Sequence, residues 1–287
     1  MIKGIQKFYS QISGSYELMN SLLTFGLDAY WRKKAVKMAI KRSPRAGRIL
    51  DMCSGTGQTA AALRQSLPST NNTQIIAADF SHHMLEIAMD RTDKKGLHHI
   101  YFTLTDAINL PFADNMFDLI TVTFATRNLA AAPGHLFKSF REFYRVLKPG
   151  GWFLNLETSQ PPVKFIKRLF HLYVKLTVAP VGRRISGSKA SYVYLSNSIR
   201  SFYSAKELAE ILYKAGFETV TWKNLLFGAV ALHQARKCNG PGHYRYTRER
   251  GGLPPCLFSG RYRGPSHWAP VTMQNSATEI LPAKYHG

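Results

Sequence analysis

The residues best suited to chemistry in this chain stand at the ends of short apolar runs. Asp51 closes Ile49-Leu50 and opens the turn Met52-Cys53-Ser54-Gly55-Thr56-Gly57-Gln58. Asp79 closes Ile75-Ile76-Ala77-Ala78, and Asp106 follows a third apolar stretch at 99–105. Glycine lets backbone pass close to a ligand and take positive φ, and a helix start beyond it offers free N–H donors. An acid at the end of the next strand can accept both hydroxyls of a ribose. The acid after the third strand then meets an adenine edge. A dinucleotide needs the longer GxGxxG cradle for its pyrophosphate, but Gly55-Thr56-Gly57-Gln58-Thr59-Ala60 lacks the third glycine. The spacing therefore favours a sulfonium nucleoside, S-adenosylmethionine (AdoMet), with contacts at Asp51, Gly55, Gly57, Asp79 and Asp106.

These positions need a scaffold. Strands are predicted around 49–50, 75–78, 99–105, 117–124 and 152–158. Helices are predicted over 17–42, after Gly57, from Met84 and near 134–147, with a turn at Lys148-Pro149-Gly150-Gly151. Ser204-Ala-Lys-Glu207 has the form of a capping box, and Gly216 a helix stop. Two β-rich stretches follow at 218–225 and 228–237. Strands alternating with helices of this length predict βαβ units and a parallel sheet.

Charge narrows the class of partner. The 287 residues carry a net +21, which attracts a polyanion, either nucleic acid or an anionic lipid surface. All but six of the 38 Lys/Arg and all but two of the 17 Asp/Glu precede Cys238, so the basicity belongs to the body. Three cysteines, Cys53, Cys238 and Cys256, form no CxxC pair, which predicts a reducing compartment and no structural metal. Met1-Ile-Lys-Gly-Ile-Gln-Lys lacks the apolar segment of a secretory signal, and no apolar run approaches the ~18 residues of a membrane span. The expected location is cytoplasmic, with peripheral contact at the inner face of a membrane. From Cys238 onward Pro, Gly, Arg, Tyr and Ser dominate, so 238–287 is predicted to be a poorly ordered extension.

Several segments together resemble the UbiE-type C-methyltransferases of ubiquinone and menaquinone biosynthesis. They are Tyr16-Glu-Leu-Met-Asn20 with Gly26 and Trp31-Arg32, Asp51 to Gly57, Asp79-Phe-Ser-His-His-Met-Leu85, and Leu110-Pro-Phe-Ala-Asp-Asn-Met-Phe-Asp118. Phe124-Ala-Thr-Arg-Asn128, Arg145-Val-Leu-Lys-Pro-Gly-Gly151, Leu156-Glu157, Tyr192 to Ile199 with Phe202, Ala215-Gly-Phe217 and Asn224-Leu225 continue the match. The resemblance runs over about 8–237. It implies the class I methyltransferase fold, an α/β Rossmann-like seven-stranded sheet, mostly parallel with the last strand antiparallel, and helices on both faces. One domain over 1–237 is expected, with a helical cap at about 1–45 and a lid at about 162–190. Further AdoMet contacts are implied at Thr56, Asp106-Ala107 and Thr123, and a prenylated quinol as methyl acceptor. The chain departs from the family pattern at Gln58, Ala125-Thr126 and Thr158. The first weakens one expected polar contact near AdoMet; the others can reshape the acceptor pocket.

Methylating a ring carbon requires the neighbouring phenol to be deprotonated or strongly polarised, and phenols titrate near pH ~10. Arg127, after the fourth strand, is the first candidate to hold a phenolate oxygen. The alternative is a structural Arg clamping a carboxylate. Asn128 can orient the same oxygen or cap a turn; Glu157 can act as base or water-positioner, or pair with a cation. Tyr16 and Asn20 can close over AdoMet or simply pack, and His82 and His83 read as surface or capping residues.

Residues 162–178 predict a helix with Lys164, Lys167, Arg168, His171 and Lys175 on one side. Phe165, Ile166, Leu169, Phe170, Leu172, Tyr173 and Leu176 fill the other. That pattern suits an interfacial lid on anionic lipid or a lid packed on the domain. A nucleic-acid methyltransferase is the rival prompted by charge. Thr123-Phe-Ala-Thr-Arg-Asn128 lacks the Pro-Pro-aromatic turn of adenine methylation, and Cys53 in the cofactor turn is the body's only Cys, so no nucleic-acid partner is expected. A cofactor-free scaffold is the other rival; an oligomer is compatible with either.

Overall fold

The computed structural model describes Glu17, Ser21, residues 24–68, 70–186 and 189–239, and Ile280–Leu281. Tyr16, Asn20 and nearly all of the expected 238–287 extension lie outside the described residues.

Four parallel strands form the middle of the sheet: β1 (Arg48–Met52), β2 (Gln74–Asp79), β3 (Ile100–Leu104) and β4 (Phe117–Thr123). β5 (Leu147–Thr158) runs parallel to β4, and β7 (Val230–Arg236) is antiparallel between β5 and β6 (Thr219–Leu225). The order is β6-β7-β5-β4-β1-β2-β3, with a two-residue β8 (Ile280–Leu281) antiparallel on the free edge of β3. This is the expected seven-stranded mixed sheet, and β8 adds to it a contact supplied by the extension.

Both faces are covered, which explains strands of near-continuous apolar residues. Ile49 and Leu50 point to opposite faces, as do Ile75 and Ile76. On one face α1 (Leu27–Arg42), α2 (Gln58–Ser66) and α3 (His82–Lys94) contribute Val36, Leu63 and Leu85. On the other, α5 (His135–Val146), after the short α4 (Thr126–Leu129), contributes Phe140 and Phe143. α8 (Ala205–Lys214), opened by the expected capping box at Ser204 and Glu207, adds Leu208 and Leu212. A helical hairpin of α6 (Lys164–Ser186) and α7 (Lys189–Ser201) packs through Val174, Val178, Tyr192 and Leu195.

Two expectations need correction. The single helix over 17–42 is broken at Phe25 and Gly26, both left-handed (φ 51° and 74°), so α1 begins only at Leu27. Lys148–Gly151 is no turn but part of β5. Leu147 lies opposite Phe117 and Trp152 opposite Leu119, so the register jumps across these four residues. Pro149 has no N–H for the ladder and Gly150 takes φ 78°, which bulges the strand without reversing it.

Candidate active site

The order reverses between β1 and β4, and the crevice outside the carboxyl ends of the strands opens there. Cys53 to Thr56 after β1, Asp79 at the end of β2, Asp106 after β3 and Thr123 at the end of β4 all line it. Gly57 caps α2 at φ 73°, and a Cβ there would sit 2.8 Å from Ala88 Cβ, so glycine is what lets the turn rest on α3. Gly55 is also left-handed (φ 54°), but nothing lies within 4 Å of where its Cβ would be. The backbone face at Gly55 is open to the crevice.

Asp79 is buried; one oxygen accepts the Gly55 N–H at 2.8 Å and the other the Ser81 N–H at 3.0 Å. Burial raises its pKa to about 6 against the opposing pull of these N–H groups. Asp79 lines the crevice, where a carboxylate can accept the two hydroxyls of a ribose. Asp106 accepts the Ile108 N–H at 3.2 Å on the adjacent rim. Ser54 Oγ is buried and finds no partner among the described residues. An open glycine face, two rim carboxylates and an unsatisfied hydroxyl fit a cationic nucleoside.

Asp51 and Ala107 lie beneath this surface and do not line it. Asp51 accepts the Thr121 hydroxyl at 2.7 Å, and burial raises it to about 7 despite that bond. Thr56 gives its hydroxyl to Glu17, which Arg91 also grips. Burial would raise Glu17, but Thr56 and Arg91 outweigh it and hold the carboxyl below its usual range.

The catalytic candidates separate. Asn128 lines the crevice. Arg127 and Glu157 are both buried behind it: Nη1 of Arg127 reaches Glu157 Oε1 at 3.4 Å and Thr158 Oγ1 at 3.2 Å, and Glu157 Oε2 accepts the Arg127 N–H at 3.1 Å. This is the carboxylate-clamping alternative, and it fixes the backbone of α4 just before Asn128. The departures from the family pattern have related destinations. Thr158 joins that pair, the Thr126 hydroxyl bonds buried Asn155, and neither lines the crevice; Ala125 and Gln58 do. His82 and His83 are exposed beside Glu86.

Arg32, Asp28 and His135 are among the crevice-lining residues that sequence reading missed. Arg32 on α1 donates to Thr59 Oγ1 at 3.0 Å and Thr123 Oγ1 at 2.6 Å, tying the helical cap to α2 and β4. Asp28 lies one turn earlier, and His135 stands at the start of α5. The Trp31-Arg32 pair marked α1 as distinctive without revealing its target; nothing local distinguishes His135.

Solved structures with this fold include a SAM-dependent methyltransferase from Thermotoga maritima (20% identity, 80% of this chain and 99% of that one, TM-score 0.51). Another is the cyclase SpnF (22% identity, 72% and 81%, TM-score 0.53). Their different chemistries show that the architecture alone does not choose a reaction. Sequence relatives are more specific. The ubiquinone/menaquinone biosynthesis C-methyltransferase UbiE of Desulfotalea psychrophila is 37% identical over 80% of this chain and 89% of its own length. A demethylmenaquinone methyltransferase of Thermus thermophilus is 36% identical over 78% and 97%. The model of the ubiE/COQ5 methyltransferase family matches residues 2–237, which takes in strands β1 to β7, the crevice and the α6–α7 hairpin. With its glycine turn, strand-end acids and helical cap all inside that match, the chain is a methyltransferase and belongs to the ubiE/COQ5 family.

Proposed function

We propose that this methyltransferase uses AdoMet to methylate a ring carbon of a prenylated quinol, either demethylmenaquinol or the benzoquinol precursor of ubiquinone. The observation that carries the cofactor half is the buried Asp79 carboxylate, braced by Gly55 N–H beside an open backbone face. The acceptor half is supported by the names of the relatives. AdoMet supplies a methyl group on cationic sulfur, which leaves as a neutral thioether. Asp79 would hold the ribose, Asp106 the adenine edge, and the Gly55 face would allow close approach.

On the acceptor side, Asn128 and His135 border the same crevice among Leu129, Ala131 and Ala132. Imidazole is the side chain suited to take a phenolic proton near neutral pH. His135 takes that proton as the ring carbon attacks, Asn128 orients the oxygen, and the ring hydrogen leaves as a proton when aromaticity returns. The buried Arg127–Glu157 pair acts through position, fixing α4. The reaction is set on the cytoplasmic side, at a membrane surface where a prenylated substrate resides.

The test is turnover of the purified enzyme on demethylmenaquinol and on the benzoquinol precursor, with products identified by mass spectrometry. Methylation of at least one is expected, and no C-methyl product from either would refute the reading. His135→Gln should lower kcat by about 100-fold and leave AdoMet affinity within about twofold. Unchanged kcat removes His135 from the reaction.

A further inference from the structure

The apolar residues of α6 do not share one buried side. Val174 and Val178 pack on α7, while Phe165, Leu169, Leu172 and Leu176 are half exposed or more. At i, i+4, i+7 and i+11 these four form one stripe along the helix. Exposed Lys164, Arg168 and Lys175 run beside it. The expected division into a basic side and an apolar side is therefore shifted: stripe and basic row both face water.

Two other elements carry bulky apolar side chains to the same helix. Phe25, 81% exposed, sits with its ring centroid 6.4 Å from that of Tyr173 in the middle of α6. Leu226 and Phe227, 48% and 75% exposed, form the tip between β6 and β7. The tip abuts the start of α6, since a Cβ on Gly228 would lie 2.6 Å from Pro162 Cδ. All three residues hold left-handed backbone, at φ 51°, 44° and 54°, a conformation that penalises side chains with a Cβ. Folding alone would favour Gly or Asn at these sites, and burying the rings in the protein would favour another path. The strain instead holds apolar groups outward around one basic helix. Phe25 also lies three residues before Asp28, which lines the crevice.

We propose that the α6 stripe, with Phe25 and the Leu226–Phe227 tip, is a docking surface for anionic lipid bilayers. The apolar side chains enter the acyl boundary and Lys164, Arg168 and Lys175 meet the headgroups. Among the described residues no helix is long and apolar enough to cross a membrane, so the contact is interfacial. This inference is separable from the quinol reading, because it is measured on vesicles that contain no substrate.

The experiment is co-sedimentation of the full chain with vesicles of phosphatidylcholine alone and of an equal mixture with phosphatidylglycerol. Binding to the mixture is expected, weakened at high salt. Phe227→Asn should weaken it about tenfold while thermal stability stays or rises, because Asn tolerates the left-handed region. Turnover of a short-chain, water-soluble quinol should not change. Lys164→Glu with Arg168→Glu should abolish the preference for phosphatidylglycerol. The proposal is overturned by equal, negligible binding to both vesicles, or by wild-type binding in all variants. It is equally overturned if Leu169→Ser dissociates a lipid-free dimer in sedimentation velocity, since a second copy would then cover the stripe.

Discussion

The turn at Gly55–Gly57 and the tip at Leu226–Phe227 both carry the chain through left-handed backbone, with opposite side-chain content. In the turn, φ values of 54° and 73° are taken by glycines; in the tip, 44° and 54° are taken by leucine and phenylalanine. The turn needs space: Ala88 presses from below Gly57, and the crevice opens over Gly55. The tip presents apolar surface. One backbone geometry thus serves to remove side chains where a ligand must approach and to display them where a surface must be made. Residue identity in the left-handed region therefore carries functional information that the φ angle alone does not.

The contrast breaks most severely at Gly57. Gly57→Ala should lower unfolding free energy by about 3 kcal/mol in urea titration, combining left-handed strain with overpacking against Ala88. A loss below about 1 kcal/mol would mean that α3 moves aside and that space is not what the glycine protects. Asp79→Asn comes next, with AdoMet affinity by calorimetry falling by about 2 kcal/mol as charged hydrogen bonds to ribose are lost. The same variant gives a pH signature. Burial raises folded Asp79 to about 6, above the ~3.9 of an unfolded chain, so its contribution to stability is full below ~4 and lost as pH rises through ~6. Wild type should therefore lose stability relative to Asp79→Asn across that window, whereas its AdoMet affinity should fall as pH drops through it. The difference between the two proteins is the readout, because buried His233, lowered to about 4 by burial, and buried Asp51, raised to about 7 by burial, are present in both and cancel. Gly55→Ala should have the smallest effect on folding, about 1 kcal/mol from strain alone, since its methyl meets nothing. That methyl projects into the crevice, so AdoMet binding should weaken even though the fold survives. Full affinity in Gly55→Ala would separate the open face from the cofactor.

Local signals were legible where neighbouring residues decide the outcome. Ser204 and Glu207 cap α8 as their spacing required, and the apolar runs ending at Asp51 and Asp79 became adjacent parallel strands. The helix break at Phe25 and Gly26 was less legible, because the apolar periodicity continues on both sides of it. Arg127 shows the limit more sharply. Its position after β4 made a phenolate contact and a carboxylate clamp equally consistent with sequence; only the approach of Glu157 from β5 selected the clamp.

Sequence by itself determined the strand–turn–helix at Gly55–Gly57, the acids at successive strand ends and the family, because these depend on short spacings and on residue types with restricted backbone choices. Tertiary structure alone decided which of those residues face the crevice. Asp51 and Ala107 went beneath the surface, Arg32 and His135 arrived from distant helices, and half of the apolar side of α6 was left in water. The physical reason is that side-chain direction in a packed domain is set by which element covers each face, and that pairing joins residues far apart in the chain.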